Sequence, residues 1–133
     1  MRREPIEIEG VHAPRGYSHA TRIGDTVHVA GQIALDPEGN LVGRGDVEAQ
    51  VRQVYANLEA VLKGVGLSLD DIVKTNIFLT DARYIEPFRV VRSEIMRDHL
   101  PSSTLLIVGG LALPDLLVEI DAIAAQPNAN NES

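Results

Sequence analysis

One stretch, residues 101–124 (PSSTLLIVGGLALPDLLVEIDAIA), limits the possible folds of this chain most strongly. It holds two apolar runs around a Leu-Pro pair, and both runs are rich in residues that favour β-strands. In the second run Glu119 and Asp121 alternate with apolar residues, so both carboxylates point to one face of a sheet. A carboxylate on that face lies either at a site that water can reach or at a contact between subunits.

The remaining apolar patterns predict six strands and two helices in the order βββαβαββ. The strands are expected at residues 6–9, 17–23, 26–34, 72–80, 103–110 and 116–124. Asp46 is the predicted N-cap of the first helix, whose apolar stripe runs to Val65. The second helix begins near Asp81 or Tyr84 and stops before Pro101. We therefore expect one α+β domain over residues 1–125, with a disordered tail at 126–133.

Two helices can cover only one face of a sheet of this size. Runs such as LLIVGG and VHVAGQIA carry apolar residues on both faces, as strands do when both of their faces are buried. A large uncovered apolar patch is unfavourable in water. The pattern therefore predicts a homo-oligomer in which copies of the chain cover the second face.

Composition excludes several functional classes. The net charge of −7 opposes general binding to nucleic acid, which needs a basic face. The chain has no cysteine and no apolar run of 18 residues, so thiolate chemistry and a membrane span are not expected. The first ten residues lack the apolar core of a secretory signal, which predicts a cytoplasmic protein. The four histidines show no metal-ligand spacing, and phosphate-loop motifs are missing from the sequence.

A set of short motifs in a fixed order resembles the Rid/YjgF family, also called the RidA, L-PSP or reactive intermediate deaminase family. The motifs are RGYS at 15–18, VAGQI at 29–33, DIVKT at 71–75, Leu113-Pro114 and VEIDAIA at 118–124. The resemblance spans roughly residues 6–124. It implies a chorismate-mutase-like fold, a mixed sheet with two helices on one face, and a homotrimer with clefts between neighbours. It also implies hydrolysis of small 2-imino or 2-aminoenoate compounds to 2-keto acids and ammonia, with no metal or organic cofactor.

The resemblance assigns candidate roles to two residues. Glu119 matches the family acid and would hold and activate a water molecule. Tyr17 matches the family tyrosine, and its hydroxyl would bind the substrate or the attacking water. For each residue a simpler interpretation stays open. Glu119 can be a polar residue on a strand between subunits, and Tyr17 can be an aromatic residue of the interface whose hydroxyl group contacts water. His19 is a further acid/base candidate, although an ordinary strand residue is the simpler interpretation.

The chain departs from the family at Ser103. Deaminating members read Pro-x-Arg-Ser/Thr here, and that arginine clamps the substrate carboxylate, whereas this chain reads Pro101-Ser102-Ser103-Thr104. Loss of a buried bidentate ion contact costs about 2–5 kcal/mol of binding. Arg89 is a possible replacement, as is Arg92, although arginines on the polar face of an outer helix are usually solvated. Gly31 would let backbone approach a ligand closely.

Three hypotheses follow for the function. The first is a trimeric hydrolase that acts on imine or enamine compounds, with Ser103 offering a neutral hydrogen bond in place of the missing arginine. The second is a trimer that binds a small metabolite, or assists another enzyme, without chemistry of its own. The third, RNA cleavage, conflicts with the net charge of −7.

Overall fold

The computed structural model describes residues 4–127, so residues 128–133 of the tail expected at 126–133 lie outside the described residues. The domain contains six strands and two α-helices. They are β1 Glu4–Ile6, β2 Ala20–Ile23, β3 Thr26–Gln32, α1 Val47–Gly64, β4 Ile72–Leu79, α2 Ile85–Met96, β5 Ser102–Ile107 and β6 Val118–Ala125. Short 3₁₀ turns precede β4 and α2. The predicted order of elements is confirmed.

The six strands form one mixed sheet in the order β1-β2-β3-β6-β4-β5. All pairs are antiparallel except β4 and β5, which run parallel because α2 crosses between them. Strand β6 therefore lies in the middle of the sheet, between β3 and β4. This position brings the VEIDAIA segment next to β3, the strand that contains Gly31.

Local chemistry explains where α1 begins and ends. The Asp46 side chain accepts a hydrogen bond from the backbone N–H of Ala49 at 3.1 Å, as an N-cap does. At the other end the backbone N–H of Val65 bonds to the carbonyl of Leu62, and Gly66 adopts a φ of 79°. The buried stripe of α1 includes Val51, Val54, Leu58, Val61 and Leu62. That stripe packs on β3 and β6, and α1 also contacts α2.

The sheet has one face covered by helices and one open face. Along β6, Val118, Ile120, Ala122 and Ala124 are buried under the helices, and the residues between them are only half-buried. Glu119 and Asp121 therefore share the open face, as their alternation predicts. On the same face Leu106 of β5 leaves 50% of its surface exposed. Within residues 4–127, neither helix has the length and apolar character that crossing a bilayer requires.

Several predicted strand boundaries differ from the structure, and three of the strands show the largest differences. The first strand occupies 4–6 rather than 6–9, because Ile8 packs against α1 at Gly64 instead of pairing in the sheet. Strand β2 begins at Ala20 rather than residue 17, which leaves Tyr17 in a loop. Strand β5 ends at Ile107 and does not reach residue 110. The sequence pattern predicts that a strand is present, but hydrogen bonding to a neighbouring strand determines where it begins and ends.

Candidate active site

The carboxylate of Glu119 lies against the backbone of Gly31. Strands β3 and β6 are adjacent, and their register is irregular between Val29 and Gln32, just where Gly31 stands. A Cβ built on Gly31 would overlap Glu119 Oε2 and would lie 2.8 Å from its Cδ and 3.0 Å from its Cγ. Only glycine leaves room for this side chain in its observed position. The structure thus brings together two residues that the sequence named separately.

Tyr17 lies on the loop that precedes β2 and keeps 45% of its surface exposed. Its ring packs edge-on against the buried His19, with ring centroids 5.7 Å apart. The ring borders a cavity of about 440 Å³, a size typical of small-molecule sites, which is also lined by His12, Arg15, Ile33 and Leu113. A second cavity of about 720 Å³ also borders Tyr17.

The negative charge of Glu119 acts on the Tyr17 phenol. Burial raises the pKa of the Glu119 carboxyl, and the nearby carboxylate of Asp121 raises it further. Burial also raises the pKa of the Tyr17 phenol above its usual 10.0, with a smaller contribution from the negative charge of Glu119. Tyr17 is therefore a hydrogen-bond donor at neutral pH, and Glu119 is a stronger base than an exposed glutamate. A proton donor and a base whose charges interact suit a reaction that moves a proton.

A buried polar cluster of His12, His19 and Gln32 lies beneath the Tyr17 loop. His19 Nε2 is 2.6 Å from the backbone carbonyl oxygen of His12, so Nε2 carries the proton in this contact. Its Nδ1 then accepts a hydrogen bond from Gln32 Nε2 at 3.1 Å. With both nitrogens engaged, His19 holds the loop in place, and the simpler, structural interpretation of this residue fits the geometry better than the acid/base one.

His12 is the member of this cluster that sequence reasoning missed. It is 3% exposed, and its ring meets His19 edge-on with centroids 4.9 Å apart. Burial lowers the pKa of His12, and His19 lowers it further, so the ring is neutral near pH 7. Within residues 4–127 neither of its ring nitrogens has a hydrogen-bond partner, and the same holds for Gln32 Oε1. The one signal in the sequence was the polar Gln32 at the end of an apolar strand.

Ser103 lies apart from Glu119 within one protomer. It is the second residue of β5, at the edge of the sheet, and its hydroxyl is 2.6 Å from the hydroxyl of Thr75. Thr75 is buried on the helix-covered face, whereas Glu119 points to the open face. Ser103 also donates a hydrogen bond to the carbonyl oxygen of Pro101 at 3.2 Å. A site that uses both Ser103 and Glu119 therefore needs two protomers.

Arg89 and Arg92 lie on α2, in the layer of helices behind the sheet. Arg89 is exposed and forms an ion pair with Glu86 at 2.7 Å. The Arg92 guanidinium lies over the ring of Phe88, 5.8 Å from its centroid. Within one protomer neither arginine approaches the Tyr17 cavity, so solvated or locally paired side chains describe them best.

Residues 4–127 contain no group of three or more His, Asp or Glu side chains placed to hold one metal ion. The groups that the structure offers are the half-buried Glu119 carboxylate against the Gly31 backbone, and the Tyr17 phenol beside a cavity with mixed polar and apolar walls. These groups can bind a small polar molecule, activate water and donate a proton.

Comparison with known proteins identifies the family. A model of the family described as Endoribonuclease L-PSP matches residues 8–126. A RutC family protein of Sulfurisphaera tokodaii is 35% identical over 124 residues, covering 92% of this chain and 98% of that protein. Among solved structures, a putative endoribonuclease from Thermotoga maritima superposes with a TM-score of 0.87 at 35% identity, covering 96% of this chain and 100% of that one. Escherichia coli TdcF, solved with bound serine, gives a TM-score of 0.81 at 29% identity, with 93% and 99% covered. The chain therefore belongs to the Endoribonuclease L-PSP family, the Rid/YjgF family that its motifs resemble.

Proposed function

We propose that this protein is a small-molecule hydrolase that deaminates imine or enamine compounds, with Glu119 as the base and Tyr17 as a proton donor. The observation that carries the proposal is the placement of the Glu119 carboxylate. It is half-buried, its pKa is raised, it lies against Gly31, and its negative charge acts on the Tyr17 phenol. A carboxyl group whose pKa is raised by burial and by a neighbouring charge is a candidate functional group.

The reaction balances with water as the only co-reactant. The oxygen of a water molecule adds to the imine carbon while Glu119 accepts one of its protons. Tyr17 donates a hydrogen bond to the developing polar group and stabilises the charge that forms there. Glu119 returns this proton to the nitrogen, which gives a carbinolamine. Glu119 then takes the proton of the new hydroxyl group and passes it to the nitrogen, so that the carbon–nitrogen bond breaks as the carbonyl forms, ammonia leaves and a ketone remains. Both residues end in their starting protonation states, and the proposal needs no metal or organic cofactor.

The proposal includes a homotrimer with the site between neighbours. The open sheet face carries half-buried and exposed apolar side chains, including Phe78, Ile123 and Leu106, which association would cover. The separation of Ser103 from Glu119 within one protomer supports the same arrangement, because β5 of a neighbouring copy can bring a hydroxyl to the cleft. A sedimentation mass near three times 14.4 kDa is expected, and a monomer at micromolar concentration would contradict this part of the proposal.

Activity is tested on imines made in situ by an amino-acid oxidase, with release of ammonia and keto acid as the readout. Uncharged imines belong in the same panel because Ser103 cannot supply a cationic clamp. Glu119→Gln preserves size and should lower turnover by about 10²–10⁴-fold, the usual contribution of a positioned base. Asp121→Asn is the matched control, since it removes a carboxylate from the same strand face and leaves the base in place. Turnover that survives Glu119→Gln would refute the proposed role.

Binding without chemistry is the second candidate, and the neutral Ser103 favours it. A protein of this kind would be stabilised by metabolites that it does not convert. A thermal-shift screen followed by product analysis separates the two candidates: ligands that raise the melting temperature and stay unchanged for hours support the binding role. We do not propose RNA as a substrate, because a chain with a net charge of −7 has poor affinity for phosphates.

A further inference from the structure

The family's arginine is missing from β5, so the charge that would hold an anionic substrate must be sought elsewhere in the fold. Within residues 4–127, four arginines are already paired with carboxylates. They are Arg44, Arg52, Arg83 and Arg89. Arg22 donates to the carbonyl oxygen of Val65 and to Gln126. None of these groups lines the Tyr17 cavity.

Arg15 is different from these arginines in position and in its surroundings. It is exposed, it lies two residues before Tyr17, and it lines the same cavity of about 440 Å³. In the described part of the chain no carboxylate lies within ion-pair distance of its guanidinium. Gly16 stands between the two side chains with a φ of 79°, a conformation that favours glycine. This sharp turn lets both Arg15 and Tyr17 border one space.

We propose that Arg15 is the cation that binds the carboxylate of the ligand in this protein, and that the ligand is a monocarboxylate. The inference rests on the proposed function and deepens it by naming the residue that binds the negative charge of the substrate. A guanidinium binds a carboxylate through two parallel hydrogen bonds, which a hydroxyl at Ser103 cannot do. The charge thus comes from the N-terminal loop, on the Tyr17 side of the cleft, instead of from β5.

The walls of the cavity restrict the ligand further. Ile33, Leu35 and Leu113 offer apolar contact to a short side chain. Glu38 also lines the cavity, and its carboxylate opposes a second negative charge on the ligand. A monocarboxylate with a small apolar substituent therefore fits better than a dicarboxylate.

The test measures binding separately from turnover, by calorimetry with 2-oxobutyrate, its uncharged amide and 2-oxoglutarate. Arg15→Gln should raise the dissociation constant for 2-oxobutyrate at least tenfold and leave that of the amide within twofold. Arg89→Gln is the matched control and should leave both values unchanged, since Arg89 is paired on α2. Glu38→Gln should strengthen binding of 2-oxoglutarate more than that of 2-oxobutyrate. Unchanged melting temperatures would show that the exposed substitutions leave the fold intact.

Several results would overturn the inference. They are equal affinity of the wild type and Arg15→Gln for 2-oxobutyrate, equal loss in Arg89→Gln, or no binding of any carboxylate to the wild type. Failure of the proposed hydrolysis would look different. In that case Arg15-dependent binding persists, and neither the wild type nor Glu119→Gln releases ammonia. If both proposals hold, Glu119→Gln binds 2-oxobutyrate within twofold of the wild type and has lost turnover.

Discussion

Replacing Gly31 with alanine places a methyl group where the Glu119 side chain now lies. The new Cβ would overlap Oε2 and would lie 2.8 Å from Cδ, whereas unstrained carbon contacts are about 3.5–4.0 Å. The carboxylate must therefore move by about 1 Å. A misplacement of that size costs about 10²-fold in rate. The fold should lose only about 0.5–1.5 kcal/mol, the cost of a side chain held off its preferred rotamer.

The assay is the initial rate of ammonia release together with the free energy of unfolding in urea. Gly109→Ala is the matched control, because a Cβ there has no neighbour within 4 Å and Gly109 does not adopt a positive φ. It should leave both quantities unchanged. A Gly31→Ala enzyme with wild-type rate would show that the position of Glu119 does not matter for turnover.

The origin of the stability cost is tested in a Glu119→Ala background. That substitution removes all three atoms that the new Cβ would meet. Gly31 does not adopt a positive φ, so alanine fits its backbone once the side chain is gone. Gly31→Ala should then stabilise the protein by about 0.4–1 kcal/mol, through the unfolded state. An equal destabilisation in both backgrounds would refute the argument that Glu119 requires glycine at this position.

Three further predictions concern the acids of the open face and the packing behind it. Because the pKa of Glu119 is raised in the folded state, ionisation of this carboxyl destabilises the fold when the pH rises above its usual pKa of 4.5. Glu119→Gln should therefore raise the melting temperature at pH 7, and this increase should vanish at pH 4. Asp121→Asn removes one cause of that raised pKa, so the acidic limb of the pH–rate profile should move to lower pH; a limb that stays in place would exclude Glu119 as its origin. The buried Gln50 side chain bonds three backbone groups, so Gln50→Leu should lower the free energy of unfolding by about 3 kcal/mol, and a loss under 1 kcal/mol would contradict this reading.

The helices could be predicted from the sequence because their signals are local. Asp46 caps α1 as expected, and the apolar stripe that begins near Val51 is buried along its length. The two faces of β6 were equally predictable, since alternation assigns Glu119 and Asp121 to one side whatever the neighbouring strand is. The uncovered face of the sheet was also predictable, because two helices can cover only one face and the strands carry apolar residues on both.

The ends of the first two strands could not be predicted, because alternation does not reveal a partner. Ile8 continues the apolar pattern of Ile6, yet it packs on α1 and leaves the sheet. Likewise Tyr17 continues the pattern of β2, but the buried side chain of His19 and its bonds to His12 and Gln32 fix the preceding residues as a loop. These contacts join distant parts of the chain.

The same limit applies to the candidate site. The sequence named Glu119, Gly31 and Tyr17 as candidates, but only the pairing of β3 with β6 brings the first two into contact. The burial of His12 had no local signal, because nothing around it in the sequence is strongly apolar except Val11. The position of Ser103 beside Thr75 depends on the parallel register of β4 and β5, which the sequence alone leaves open.

The hydrogen bond between the hydroxyl groups of Thr75 and Ser103 limits which residues can replace Ser103. Ser103 is already engaged on the helix side of the sheet, with Thr75 at 2.6 Å and with the carbonyl of Pro101. An arginine at position 103 would take away the present partner of the buried Thr75 hydroxyl, at a cost of about 1–3 kcal/mol. Introducing a cation on β5 is therefore expected to destabilise the fold unless Thr75 is replaced as well.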